Sequence, residues 1–292
     1  MGVWAEMLLN DAAFLAATAD LNIPNDYIKY LDIMPRGLQS GTTPSTITII
    51  KGAIPSIIVK LGGVRIASLS YADLLALNAL WMHRSPLINQ TLGVTANMLN
   101  AIGPARLWLY VNKLRRELSA QFGWAAMTNC ADESLDVKYT YKDTPFPERG
   151  NLHYVYETFN GVGAAAARVN ISRAGARLIG ILTFSEHCGI GSTVVGLDPE
   201  CSELDVIVDN RLVYHDNWFT RGDECAPHSP EDSGVIATPC KIALQHMGYS
   251  WISFEEEPWL ADNLWAVVHN TVHIGAAAQT GVFRLVCIYV EP

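Results

Sequence analysis

Two histidines in this sequence have the spacing of a metal site. His269 and His273 are four residues apart, so on a helix they would share one face and could bind one metal ion. No Glu follows the first histidine, as the zinc-protease motif H-E-x-x-H requires. Partly buried or interface histidines are therefore the simpler interpretation, and the sequence leaves the presence of a metal undetermined.

One glycine-rich segment has the spacing of a dinucleotide-binding loop. Gly161-Val162-Gly163-Ala164-Ala165-Ala166 matches G-x-G-x-x-A, and Glu186 follows 25 residues after Gly161. Such a loop must lie between a parallel strand and a helix. The flanking sequence has the pattern of antiparallel strands instead, which favours a linker over a nucleotide-dependent enzyme.

Acidic residues are concentrated in two short segments. One contains Asp198, Glu200, Glu203 and Asp205, and the other is Glu255–Glu257. Ca²⁺ prefers oxygen ligands, so structural calcium stays open, although the spacing matches no known loop. A solvated acidic surface is the alternative, and we expect no other cofactor.

Neither the cysteines nor a short adhesion-like motif points to chemistry. Arg221-Gly222-Asp223 has the residues of a receptor-attachment motif, but a match of three residues is expected by coincidence. The cysteines are scattered without a C-x-x-C pair, which excludes a zinc ribbon and a disulfide scaffold. We expect buried, reduced thiols at Cys130, Cys188, Cys201, Cys225, Cys240 and Cys287.

Composition excludes several classes of protein. Of the 292 residues, 50% are hydrophobic and 17% are charged, which excludes a disordered chain or a coiled coil as the main state. No run of about 18 uncharged apolar residues is present, so we expect no transmembrane helix. Glu6, Asp11 and Asp20 interrupt the N-terminus, so we expect no signal peptide.

The charge is unevenly distributed along the chain. The net charge of −9 divides into +1 for residues 1–146 and −10 for residues 147–292. No basic stripe is present that could neutralise phosphates, so direct nucleic-acid binding is not expected. The low charged fraction also suggests that other protein covers part of the surface.

Hydrophobic spacing predicts the elements of the first half. Residues 1–20 have apolar side chains at helical spacing, which predicts an N-terminal helix. Alternation over Thr46–Ile49 predicts a strand, and β-rich runs on both sides of Gly62-Gly63 predict a tight hairpin over Ile57–Ile66. Leucines at helical spacing predict a helix over Tyr71–Met82.

The second half repeats the plan of the first. A second hairpin, around Asp209-Asn210, places Val206 at 147 positions after Val59. A strand, a helix-like segment and a strand also occur twice, at offsets between 141 and 147. The copies are Arg106–Val111, Leu114–Ala126 and Asp136–Tyr141, then Tyr249–Phe254, Pro258–Val268 and Val282–Val290, with Trp108 and Trp124 matching Trp251 and Trp265. A repeat of this length indicates a duplicated domain.

Each half therefore has the pattern of an antiparallel sandwich with helices only in its connections. We predict an all-β fold with short connecting helices, built as two tandem jelly-roll β-barrels, a double jelly roll. The predicted parts are an N-terminal helical arm over 1–40, a first jelly roll over 41–143, a Gly/Pro-rich linker over 144–165 and a second jelly roll over 166–292.

With these elements in place, the sequence resembles the double jelly-roll major capsid proteins of tectiviruses, corticoviruses, finnlakeviruses and adenoviruses, especially the compact type of icosahedral bacteriophages with an internal membrane. Residues 1–40 and the insert Ser185–Glu200 depart from the simplest pattern. The matching segments cover about two thirds of the chain and are Thr43–Ile66, Tyr71–Leu75, Arg106–Tyr141, Glu203–Tyr214 and Tyr249–Val290.

The resemblance implies a structural protein and not an enzyme. Such proteins form homotrimers that tile an icosahedral shell as pseudo-hexagons. It further implies neighbouring trimers, minor capsid or vertex proteins and an underlying viral membrane as partners. The protein would be made in the host cytoplasm and located in the virion. A carbohydrate-binding or cupin-like β-sandwich is the alternative, and a cupin would need clustered metal-binding histidines.

Assembly residues are expected in two places. The N-terminal helix would dock on a neighbour or on the particle interior. The closing strand, which is apolar on both faces except at Arg284, would pack between barrels or against another subunit. The residues expected there are Trp4, Leu8, Phe14 and Leu15 in the helix, and Phe283, Leu285, Ile288 and Tyr289 in the strand.

Overall fold

The chain folds into two compact units, each built mainly of β-strands. The first comprises Met1–Asn78 and Arg84–Tyr154, and the second comprises Ala79–His83 and Val155–Pro292. The computed structural model describes residues 2–7, 18–23, 27–43, 45, 47–84, 87–89, 99–111, 117–142, 150–160, 166–185, 201–217, 249–256, 258–270 and 282–291.

Two antiparallel sheets make up the first unit. Sheet 1A has the strand order β1-β10-β3-β7-β6, with β8 also paired to β3, and sheet 1B has the order β2-β9-β4-β5. The strands are β1 (Gly2–Met7), β2 (Thr18–Ile23), β3 (Tyr27–Gln39), β4 (Ile57–Leu61), β5 (Val64–Leu69), β6 (Leu87–Asn89), β7 (Leu99–Gly103), β8 (Ala105–Trp108), β9 (Leu118–Gly123) and β10 (Cys130–Lys142). Two antiparallel sheets, one of six strands and one of four, connected in this order, form a jelly roll.

The two helices of the described chain lie in connections between strands. Helix α1 spans Ile47–Gly52 and helix α2 spans Tyr71–Leu80. Helix α2 begins with a reciprocal cap, because the Asp73 amide donates to Ser70 Oγ at 3.1 Å and the Ser70 amide donates to Asp73 Oδ2 at 3.0 Å. The hydroxyl of Tyr71 donates to the Ile102 carbonyl at 2.5 Å, which fixes the helix start to β7. The predicted helix over Tyr71–Met82 is thus confirmed.

The second unit repeats this arrangement. Sheet 2A has the order β11-β19-β13-β16, with β17 also paired to β13, and sheet 2B has the order β12-β18-β14-β15. The first residues of β11, up to Tyr154, belong to the first unit. The strands are β11 (Asn151–Asn160), β12 (Ala167–Asn170), β13 (Arg177–Ser185), β14 (Cys201–Val208), β15 (Arg211–Asn217), β16 (Tyr249–Ser253), β17 (Trp259–Leu260), β18 (Leu264–Asn270) and β19 (Val282–Glu291).

Sheets 1B and 2B share their register as well as their strand order. Corresponding residues lie 146 to 148 positions apart, and a β-bulge follows Val59 in one sheet and Val206 in the other. One row of paired residues runs Leu21, Ala120, Val59 and Ala67 in sheet 1B, and its counterpart runs Val169, Ala266, Val206 and Tyr214 in sheet 2B. This register confirms the predicted duplication and both predicted hairpins.

Each unit has its own hydrophobic core between its two sheets. In the first unit, alternate residues of β3 and β4 such as Ile33 and Val59 are fully buried. In the second, one cluster joins the inner faces of both sheets, with Val206 from sheet 2B and Leu285 from sheet 2A among its members. The strands form because every second residue is apolar and faces this core.

Three predicted segments have a different secondary structure. The predicted strand Thr46–Ile49 is wrong, because Ile47 begins helix α1. The predicted helices Leu114–Ala126 and Pro258–Val268 are also wrong, because their described parts form β9 in the first case and β17 and β18 in the second. Residues Leu118, Ala120 and Phe122 are fully buried at a period of two, and pairing with β4 and β2 overrides the helical propensity of this segment.

The predicted arm and linker are corrected as well. Residues 2–7 and 18–23 are strands of the first jelly roll, and Tyr27–Gln39 pairs with β10, so the described parts of residues 1–40 are mainly strands and not a helical arm. Residues 151–160 form β11, which lies next to β19, so this part of 144–165 is a strand and not a linker. In both cases a pairing partner more than 90 residues away in sequence stabilises the strand, and a local pattern cannot show such a partner.

Candidate assembly surfaces

The outer face of sheet 1A carries an ordered group of aromatic and cationic side chains. Tyr30 and Asp32 on β3 pair directly with Trp108 and Arg106 on β8. Their neighbours Leu31 and Leu107 are fully buried, so the alternation of the strands turns the polar and aromatic residues outward. We name this surface the aromatic face, and it comprises Lys29, Tyr30, Asp32, Arg106, Trp108 and Tyr110.

Arg106 holds the aromatic face together. Its guanidinium donates to Asp32 through Nε at 2.7 Å and through Nη2 at 2.8 Å, which is the bidentate geometry of a strong pair. The same guanidinium lies 3.5 Å from the ring centroid of Tyr30. The Tyr30 ring meets Trp108 edge to face with centroids 4.9 Å apart. Arg106 is therefore fixed in place by both charge and stacking.

Trp108 extends this stack towards the end of β8. Its ring lies parallel to that of Tyr110, with centroids 5.4 Å apart. The ammonium of Lys29 lies 5.2 Å from the Trp108 centroid. Asp32 is buried, but the aromatic and cationic side chains of this face are only partly buried, so a rigid surface of these groups remains accessible.

The outer face of sheet 2B carries a carboxylate between two histidines. Asp205 on β14 lies 2.6 Å from Nδ1 of His215 on β15 and 2.8 Å from Nε2 of His269 on β18. The flanking residues Leu204 and Val206 are fully buried, which turns Asp205 outward. The side chain of His215 is 54% exposed and that of His269 is 34% exposed. We name this surface the histidine face, and it comprises Arg168, Glu203, Asp205, Ile207, Leu212, His215, Trp265, Val267 and His269.

Hydrogen bonding shifts the pKa values at the centre of the histidine face. Desolvation alone would raise the pKa of Asp205, but the hydrogen bonds from His215 and His269 outweigh it and hold the pKa below its ordinary value. The hydrogen bond to Asp205 is the main cause that raises the pKa of His215. The cluster thus favours a carboxylate together with a protonated His215.

Apolar groups make up much of the rest of the histidine face, together with Arg168 and Glu203. Ile207 pairs with Trp265, and both are partly exposed. The guanidinium of Arg168 lies 4.4 Å from the Trp265 ring centroid. Leu212 is 58% exposed, which is unusual for a leucine in a sheet. The face therefore combines a charged centre with an open apolar margin.

The strand residues predicted for assembly lie in the interior. Phe283, Leu285 and Tyr289 belong to the core of the second unit, and the Tyr289 hydroxyl donates to the Ile171 carbonyl at 2.5 Å. Ile288 is fully buried as well. These four side chains are buried within the chain, and the expectation that the closing strand packs between barrels or against another subunit stays a prediction. Their apolar character is explained by the core.

Several other predicted residues lie outside the described part of the chain. Trp4 lies in β1, and only its backbone is described. Leu8, Phe14 and Leu15 are not described, and neither are His273, the glycine-rich segment 161–165, Asp198, Glu200 or the segment 221–223. Glu203 is exposed at the start of the histidine face, and Glu255 and Glu256 are exposed near β16.

No metal cluster is found within the described ranges: no three His, Cys, Asp or Glu side chains there could hold an ion together. His215 and His269 lie on the outer face of their sheet and are hydrogen-bonded to Asp205. Among the described residues, no helix is both long and apolar enough to span a membrane.

The sequence places Asp205 in an acidic segment and gives no local signal that connects it with His215 or His269. The signal lies in the strand register, since Asp205 pairs with His215 on one side, and Glu203 pairs with His269 on the other. The aromatic face was missed for the same reason, because β3 was assigned to an arm. Both surfaces depend on pairing between strands that are distant in sequence.

Solved structures share this fold over the whole chain, although no protein-family model and no curated protein matches the sequence. The crystal structure of the STIV MCP has a TM-score of 0.68 at 12% identity and covers 100% of this chain and 97% of its own. The atomic structure of Sulfolobus Turreted Icosahedral Virus has a TM-score of 0.67 at 13% identity and covers 100% of this chain and 91% of its own. The crystal structure of the major capsid protein P2 from Bacteriophage PM2 has a TM-score of 0.58 at 10% identity and covers 100% of this chain and 97% of its own. The predicted double jelly roll is confirmed.

Proposed function

We propose that this chain is the major capsid protein of an icosahedral virus, acting as a structural protein and not as an enzyme. The observation that carries the proposal is the duplication of one jelly roll, with the same strand order and register, over the length of the chain. Structures that share this fold end to end include the major capsid protein P2 from Bacteriophage PM2.

The proposed mechanism is geometric. Two similar barrels in one chain allow three chains to fill six nearly equivalent positions, so a homotrimer would form a pseudo-hexagonal tile. Neighbouring tiles would then cover an icosahedral shell. The rigid cores of the two units supply the shape, and the outward residues of their sheets supply the contacts. No bound group is needed for this role, and structural calcium between subunits stays part of the proposal.

The place of the protein follows from this role. It would be made in the host cytoplasm and located in the capsid shell of the virion. Its partners would be other copies of itself, minor capsid or vertex proteins and an underlying viral membrane. Residues near the N-terminus, including Trp4, Leu8, Phe14 and Leu15, stay candidates for contacts on the particle interior.

The solution mass of the full chain tests the proposal. We expect light scattering on protein purified without denaturant to give three times 32.0 kDa, or a transition to particles that electron microscopy resolves as a shell. A monomer that persists across concentration and salt would contradict it. Trimers without any shell, with or without added calcium, would support the proposed tile. They would also indicate that assembly of the shell requires the minor capsid proteins.

A further inference from the structure

The aromatic face and the histidine face belong to different sheets of different units. By contrast, the outward residues of sheet 2A are covered within the chain: Leu182 and Val286 are 1% exposed and Ile288 is fully buried. At these outward positions, sheet 2A therefore offers little exposed surface to another subunit. The aromatic face and the histidine face keep their large side chains partly exposed and held in fixed positions.

The aromatic face has the composition of a protein-binding surface. Trp, Tyr and Arg are the residues that contribute most to binding energy at protein interfaces. Here Tyr30, Arg106 and Trp108 are stacked and ion-paired before any partner arrives, so little side-chain freedom is lost on binding. The charged side chains described on this side of sheet 1A are Lys29, Arg36, Arg106 and Lys138 against Asp32 and Asp136, and this described set has an excess of positive charge.

The histidine face complements it in charge and in apolar character. Its strand β14 carries the carboxylates Glu203 and Asp205, which can pair with cationic groups of the aromatic face, beside its own cationic groups Arg168 and His215. Its apolar margin of Trp265 and Leu212 offers contact area to the rings of the aromatic face. Complementary charge and exposed aromatic groups on two different surfaces favour contact between copies.

We propose that the aromatic face of one copy binds the histidine face of the next copy. This inference rests on the proposed function and names the self-contact within the tile. Because the two surfaces differ, the contact is heterologous, and three such contacts close a ring in which every copy uses both faces. A contact of either face with itself would instead give dimers.

A mixing experiment tests this pairing. Trp108→Ala removes a central ring of the aromatic face, and Trp265→Ala removes the aromatic ring of the apolar margin of the histidine face. Each variant alone should dissociate at a protein concentration at least about tenfold higher than the unaltered trimer, as loss of a central aromatic contact predicts. Mixed in equal amounts, the two variants still offer one intact face each, so they should form a dimer that neither forms alone.

A second pair of variants guards against misfolding. Lys29→Glu and Leu212→Glu change exposed positions of the two faces, and they should weaken the trimer and rescue one another as a dimer. Leu260→Glu is the matched control, because Leu260 is 51% exposed on β17, outside both faces, and should leave the trimer unchanged. Circular dichroism and thermal unfolding of each variant confirm that it is folded.

The outcomes are distinguishable. If the unaltered chain is a trimer and folded variants of either face remain trimers, or if mixing gives no dimer, the inferred contact is wrong while the proposed tile stands. If the unaltered chain is itself a monomer, the proposed function fails first. Dissociation of both sets of variants with recovery of a mixed dimer supports the inference.

Discussion

Gly180 sets how closely two strands of the second barrel approach each other. A Cβ added at Gly180 would overlap the indole of Trp251 and lie 2.9 Å from the Ile252 carbonyl oxygen. The Trp251 ring is itself stacked on Trp81, with centroids 5.4 Å apart, so it has little room to move. A side chain at this position would therefore separate β13 from β16.

We expect Gly180→Ala to lower the free energy of unfolding by about 1–3 kcal/mol, the usual cost of overpacking. Chemical denaturation of the full chain measures it. Gly41→Ala is the control, because no atom lies within 4 Å of its added Cβ, and it should change little. An unchanged Gly180→Ala variant would show that the indole relaxes without cost.

The titrations of Asp205 and His215 should be coupled. We expect NMR to give His215 a pKa above its ordinary value of about 6.5, and Asp205→Asn to return it towards that value. The stabilising effect of the raised His215 pKa is fully present below about pH 6.5 and is lost as the pH rises through the folded-state value. The stabilising effect of the lowered Asp205 pKa is lost in the opposite direction, as the pH falls through the folded-state pKa of Asp205.

The control for this titration is Asp209→Asn, which removes an exposed carboxylate from the nearby turn. It should leave the His215 titration almost unchanged. Equal shifts in both aspartate variants would mean that general charge, and not the hydrogen bond at 2.6 Å, sets the pKa of His215.

At the scale of elements, the two hairpins have the same turn geometry but different turn residues. Gly62 and Gly63 have φ values of 58° and 80°, and Asp209 and Asn210 have 47° and 63°. Both pairs therefore lie in the left-handed region that a tight hairpin requires. Gly63 and Asn210 occupy equivalent positions of the duplicated sheets. Glycine and asparagine are the residues that tolerate this geometry best.

We expect Gly63→Ala to cost about 1 kcal/mol of stability, because alanine disfavours the left-handed region. No atom lies within 4 Å of the added Cβ, so the cost is conformational and not steric. Gly63→Asn should cost less, since Asn210 holds the equivalent position in the second barrel. Denaturant unfolding of the two variants compares them directly, and equal losses would contradict the argument.

The hairpins were predictable because their signal is local. Turn residues and alternation lie within a dozen residues around Gly62-Gly63 and around Asp209-Asn210. The strands β1 and β11 were not predictable from a local pattern, because each is stabilised by a partner far along the chain. The partner is β10 for β1 and β19 for β11. The local pattern around Leu118–Gly123 predicts a helix, whereas the strand formed there depends on pairing with β4 and β2. The duplication visible in the sequence indicated the fold class. Which residues share an outward face of a sheet could be identified only from the strand register.

At the scale of the whole molecule, β11 determines where the second jelly roll begins. A fragment of residues 150–292 retains all nine described strands of sheets 2A and 2B, whereas a fragment of residues 166–292 lacks β11 and leaves the edge of β19 unpaired. We expect the longer fragment to unfold cooperatively and the shorter one to aggregate, because an open apolar edge promotes pairing between chains. Size-exclusion chromatography with thermal unfolding separates these results. Equal behaviour of the fragments would show that β11 is dispensable.

The bulges that follow Val59 and Val206 have a consequence for deuterium labelling. Each leaves one residue of the neighbouring strand outside the ladder, Ile66 in β5 and Val213 in β15. Amides there lack the regular cross-strand bond that slows exchange with solvent. The two barrels should therefore take up deuterium earliest within their sheets at matching sites 147 residues apart, so that the time course of labelling repeats along the chain as the fold does.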